Sequence, residues 1–81
     1  MPIPSPEQLI DFEREHWTTS PGTKEELVRH ELGIPLARHY QLLARAVGDE
    51  RGIRHDPLWA ARIRRRMSDR AAERGRRSSA A

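Results

Sequence analysis

Arg38, Gln41 and Arg45 stand at i, i+3 and i+7, a spacing that places all three on one side of a helix. An Arg fork matches guanine O6 and N7, and a Gln carboxamide matches adenine N6 and N7, so the triplet has the residue types for reading base edges in a major groove. A second set lies further along: Arg62, Arg64, Arg65, Arg66, Arg70, Arg74, Arg76 and Arg77 face only Asp69 and Glu73 from residue 62 onward. A segment of this kind neutralises phosphates without reading sequence, and the binding it gives weakens steeply with salt. Thr23 and Lys24, at the start of a short helix, are expected on backbone phosphates together with Arg62, Arg64, Arg65, Arg66 and Arg70.

Other chemistries have less material. The four His, at 16, 30, 39 and 55, include no pair at i, i+4 and the chain has no Cys, so no metal site is expected. His16 and His39 read as half-buried packing residues. Glu13, Glu25 and Glu26 lack a Gly-rich phosphate loop or a nucleophile motif around them, so neither an enzyme nor a bound cofactor is expected. Glu13 falls inside the apolar arc of its own helix, where a carboxylate is costly unless paired; it is expected to meet an Arg or His from another helix.

The elements that must position these residues are read from caps and periodicity. A chain of 81 residues allows one small domain with one core. Ser5-Pro6-Glu7-Gln8 is a capping box with Pro at N1, and Leu9, Ile10, Phe12 and Trp17 then share one helical face. Thr18 to Gly22 reads as a turn, and Thr23-Lys24-Glu25-Glu26 as a second capping box that starts a helix burying Leu27, Val28 and Leu32. Gly33 is placed to end that helix at positive φ, and Pro35 to open the next, which runs to about Val47 and turns Leu36, His39, Tyr40, Leu43, Ala46 and Val47 inward. Gly33 and Pro35 thus form the turn of a helix-turn-helix.

Residues 48 to 55 read as a charged loop, and Asp56-Pro57 as the cap of a last helix whose apolar face is Trp59, Ala60, Ile63 and Met67. From about residue 75 a disordered tail is expected. The expected fold is therefore all-α, a compact bundle of three to four short helices, with a helix-turn-helix-like domain at 5–67 and an Arg-rich extension at 68–81.

The stretches LIDFEREHW, GTKEELVRHELGI and ARHYQLLARAV, followed by HDPLWAARIRRRM, resemble a small family of actinobacterial and actinophage proteins catalogued as a domain of unknown function. Its F-E-R-x-x-W segment corresponds here to Phe12, Glu13, Arg14 and Trp17, and K-E-x-x-I-R, R-Y-Y-Q-x-L and H-D-P segments follow. Where the family has Ser at the start of the third helix this chain has Pro35, and where it has the first of two Tyr this chain has His39. The likeness covers roughly residues 9 to 67. It implies a helix-turn-helix fold and DNA binding.

Charge agrees with that expectation. Residues 1 to 34 carry three basic and seven acidic side chains, residues 35 to 81 twelve and five, so a net +3 is split into halves of −4 and +7. A basic half of this kind suggests a polyanionic partner. The sequence-level expectation is a small cytoplasmic DNA-binding protein, a transcriptional regulator or phage accessory factor, in which Arg38, Gln41 and Arg45 read bases and a homodimer or the basic extension adds affinity. The start, MPIPSPEQL, has neither the basic nor the apolar region of a leader, and the longest apolar run, Leu58 to Ala61, is far short of a membrane span. The alternative is a protein-interaction adaptor that docks its acidic first helix or its basic last helix on a transcription or other intracellular protein complex without touching DNA.

Overall fold

The computed structural model describes residues 3–80, with side chains through Arg77. The Ser5 capping box forms as expected: the Gln8 amide donates to Ser5 Oγ at 3.1 Å and the Ser5 amide to Gln8 Oε1 at 2.8 Å. The helix it opens, α1 (Pro6–Glu15), buries Leu9, Ile10, Phe12 and Glu13. Trp17 packs against the core from the turn after α1, not from the helix itself.

The second capping box does not form. Pro21, with its fixed φ, starts α2 (Pro21–Leu27) two residues before Thr23; Ser20 occupies the cap, and its hydroxyl donates to Thr23 Oγ1 at 3.0 Å instead of to a backbone amide. A π-helical turn, Val28–Leu32, continues α2 and stops at Gly33, whose φ of 68° and ψ of 24° are left-handed. The Gly33 amide donates to the Arg29 carbonyl at 3.1 Å, as a helix-ending Gly should. Leu32 and Ile34 then pin the connection to the core.

Helix α3 (Leu36–Ala46) follows directly, with Pro35 in the extended N-cap position and not in the first turn. Its buried side chains are His39, Leu42, Leu43 and Ala46, with Val47 just beyond; Leu42 widens the inward arc past the expected set. The charged segment expected as a loop is instead a short helix, α4 (Glu50–His55), capped by Asp49 Oδ1 accepting the Arg51 amide at 2.7 Å. Gly52 makes this possible: it is buried, and a Cβ there would strike the Ala46 carbonyl and come within 2.9 Å of Ile10 Cδ1. Close approach, rather than apolar periodicity, seats α4.

Asp56 caps the last helix, accepting the Trp59 amide on Oδ1 at 3.2 Å, and α5 (Pro57–Ala80) turns Ala60 and Ile63 fully inward with Trp59 and Met67 at the edge. At 1.5 Å per residue α5 is about 36 Å long. It carries the chain through most of the segment expected as a tail, whose last residue, 81, lies outside the described residues. The fold is an all-α bundle around Leu9, Ile10, Leu42, Leu43, Ala46, Val47, Ala60 and Ile63.

Candidate nucleic-acid interface

The most buried polar cluster removes one of the expected phosphate contacts. Lys24 is 6% exposed, Glu13 2% and His39 0%, and both the Lys24 ammonium and His39 Nε2 meet Glu13 Oε1, the latter at 2.9 Å. Lys24 is therefore corrected from a phosphate ligand to an internal counter-ion: it is the one buried residue of α2 and joins that helix to α1. Glu13 finds the His partner expected of it, with Lys24 added. A carboxylate only accepts, so His39 Nε2 carries a proton, and the buried Nδ1 has no partner among the described residues. Burial raises the Glu13 carboxyl, yet hydrogen bonds from His39 and Lys24, with their charges, outweigh it and hold it below its usual value. The imidazole also packs among aromatic rings, 5.4 Å edge-on from Phe12 and 5.3 Å from the Tyr40 ring.

The remaining cations divide by element. Arg14 binds Asp56 at 2.8 Å and Asp11 at 3.1 Å, Arg51 binds Glu7 at 3.0 Å, Arg29 binds Glu25 at 3.5 Å, and Arg54 binds Glu50. His55 and His16 meet Asp11 and Glu31. On α5, Arg77 pairs with Glu73 at 2.7 Å. Among the described residues, the guanidiniums without a carboxylate partner are Arg38, Arg45, Arg62, Arg64, Arg65, Arg66, Arg70, Arg74 and Arg76, and every one lies on α3 or α5.

On α3, Arg38 Nη1 donates to Gln41 Oε1 at 3.3 Å, one turn apart, so the two side chains are held side by side on the surface. Arg38 does not reach Glu13. Tyr40 and Ala44 face the clefts between α3 and α5, and the triplet Arg38, Gln41 and Arg45 lies roughly 100–160° round the helix from Tyr40, lining none of those clefts. The triplet thus shares none of these clefts with the α5 arginines. Thr23 is exposed at the start of α2.

Two Trp rings that look like core in the sequence, Trp17 and Trp59, also carry Arg side chains from α5. Arg66 lies 3.2 Å from the Trp17 ring centroid and donates from Nη1 to the Trp17 carbonyl at 3.1 Å. Arg62 lies 5.2 Å from the Trp59 ring, and the two Trp rings meet edge to face at 5.0 Å. Sequence spacing signals the Trp59–Arg62 pair, three apart on one helix; nothing local signals Trp17–Arg66, which is 49 residues apart. Of the expected phosphate residues on α5, Arg62, Arg64, Arg65 and Arg70 are exposed, while Arg66 is half-buried and fixed.

No group of three His, Cys, Asp or Glu side chains among the described residues is placed to hold a metal ion, and no helix among them is long and apolar enough to cross a membrane. What fold and surface define together is a small all-helical domain with its free cations gathered on two helices. The chain belongs to the family described as "Protein of unknown function (DUF3263)", whose profile matches residues 5–75. No curated protein and no solved structure matches it.

Proposed function

We propose that the protein binds duplex DNA, with α3 at the major groove and α5 along the phosphate backbone. The observation that carries this reading is the sorting of charge: cations outside α3 and α5 are spent on internal carboxylates, whereas nine guanidiniums on α3 and α5 are left for an external anion. Arg is the cation suited to this, because its planar fork meets phosphate and guanine bidentately. Arg38, Gln41 and Arg45 supply base contacts, Arg62, Arg64, Arg65, Arg66 and Arg70 supply backbone contacts, and Thr23 adds a hydroxyl near α2. An adaptor acting through its acidic half has less to offer. In residues 1–34 only Glu15 and Glu26 lack a basic partner among the described residues.

The test is fluorescence anisotropy of a labelled random duplex titrated with the full chain across a salt series. Five to seven neutralised phosphates give a log–log slope of about −5 to −6. Arg38→Ala and Gln41→Ala then narrow the affinity gap between a selected site and random duplex by about 1–3 kcal/mol each. Absence of binding at low salt refutes the reading, and equal loss on all sequences refutes the assignment of base reading to α3.

A further inference from the structure

Between the α1–α2 turn, the first turns of α3 and the middle of α5 lies an open cleft of about 520 Å³, whose walls include Trp17, Thr19, Lys24, Tyr40, Arg66 and Arg70. Its cations are unequal in freedom. Lys24 is committed to Glu13. Arg66 is locked in place by the Trp17 ring beneath it and by the Trp17 carbonyl, which takes one of its five N–H donors and leaves the others unassigned. Arg70, one turn on along α5, has no carboxylate partner among the described residues and lines the same space. Asp69 and Glu73 line an adjoining cleft that shares Trp17, Arg66 and Arg70 with this one, but Glu73 is on Arg77 and neither carboxylate forms an ion pair with Arg66 or Arg70.

Two guanidiniums thus sit side by side with no anion assigned to them, one of them immobilised in advance. Burial and then the nearby charge of Arg70 pull Arg66 below its usual value, as expected of like charges held together, although Arg stays charged at neutral pH. Pre-fixing one fork lowers the ordering cost of binding, and two forks one helical turn apart have more donors than one planar carboxylate can accept. A tetrahedral oxyanion has acceptors in several directions.

We propose that this cleft is a phosphate-binding site, in which Arg66 and Arg70 clamp one phosphate group. None of Arg38, Gln41 and Arg45 lines this cleft, so its geometry is independent of the α3 triplet. The phosphate is either the diester of a duplex backbone or the group of a free phosphate ester, and both present the same oxygens.

The experiment is a nuclear magnetic resonance titration of the full ¹⁵N-labelled chain with inorganic phosphate at constant ionic strength, with acetate as control, followed by duplex DNA anisotropy on the same samples. The expected result is saturable shifts of the Arg66 Nε–H and Trp17 indole signals with phosphate but not acetate. Arg70→Gln and Arg66→Lys weaken phosphate binding at least 3-fold while Arg76→Gln, on the exposed end of α5, leaves it unchanged. If the duplex also binds and loses more affinity in Arg70→Gln than in Arg76→Gln, the source is the DNA backbone. Saturation by phosphate with no duplex binding keeps the site, assigns it to a free phosphate ester, and refutes the DNA reading alone. Shifts spread evenly over the α5 arginines, equal shifts with acetate, or equal effects of Arg70→Gln and Arg76→Gln overturn the site, even where the duplex binds.

Discussion

Replacing Glu13 by Gln keeps an acceptor for His39 Nε2 and nearly the same volume, but leaves the Lys24 ammonium buried without a counter-charge. Lys24 and Glu13 side chains are 7% and 3% exposed, so solvent does little to screen either. Breaking a buried pair from one side costs about 3–5 kcal/mol, against a total stability of about 4–12 kcal/mol for a domain of this length. The midpoint of thermal unfolding should fall by at least about 12 °C. Glu13→Leu with Lys24→Met removes both charges and recovers part of the loss; recovery is incomplete because the His39 N–H then lacks an acceptor, which costs about 1–3 kcal/mol. Urea unfolding followed by Trp17 and Trp59 fluorescence measures both variants. The same pair predicts acid sensitivity with a definite sign. The folded Glu13 carboxyl lies below its ordinary 4.5, so its stabilisation is fully present above 4.5 and is lost as pH falls through the folded value. Glu13→Gln should flatten that part of the pH profile. A Glu13→Gln cost under about 1 kcal/mol, or a double variant no better than the single, would refute the account of how α2 is held.

Gly52→Ala should destabilise by about 2 kcal/mol or more, because the new Cβ strikes the Ala46 carbonyl, whereas Gly22→Ala in open space should stabilise by up to about 1 kcal/mol; denaturation midpoints compare the two directly. Asp56→Ala removes both the α5 cap and one of the two carboxylate partners of Arg14, and a loss of about 1–2 kcal/mol is expected in the same assay. A chain ending at Met67 should unfold within about 0.5 kcal/mol of the full chain, since no residue beyond Met67 joins the core, while its DNA salt slope becomes shallower by about 2–3. Loss of folding on that truncation would mean that the end of α5 packs far more than its exposure implies.

The parts of this fold with local signatures were legible. Ser5-Pro6-Glu7-Gln8, Gly33 and Asp56-Pro57 each announce a helix boundary, because a cap or a positive φ is decided by a few adjacent residues. Apart from the start of α2, where Pro21 sets the boundary two residues ahead of Thr23, the expectation failed where a contact distant in sequence decides. The segment Glu50–His55 has one apolar residue, Ile53, which stays exposed, so periodicity reads it as a loop; it is helical because Gly52 lets it nest on Ala46 and Ile10. Lys24 looked like surface material because its only reason to be inside is Glu13, eleven positions earlier on another helix. Glu13 itself was legible, since a carboxylate on an apolar arc demands a partner somewhere. For the surface, residue types were readable, but which cations remain free depends on pairs such as Arg51–Glu7, 44 residues apart.

Folding also moves the charge boundary. Residues 1–56 hold seven basic and ten acidic side chains, a net of −3, while α5 holds eight and two, a net of +6. The α3 triplet therefore sits on a body whose overall charge opposes a polyanion. At a Debye length of about 8–10 Å the triplet feels mainly its near surroundings once docked, but on approach the longer-range field favours α5 first. Under the DNA reading, α5 then sets the salt dependence and most of the affinity, and Arg38, Gln41 and Arg45 add the difference between one sequence and another. Weakened Arg contacts on α5 should lower binding to every duplex alike, whereas changes in the triplet should alter the ranking of duplexes at nearly constant salt slope.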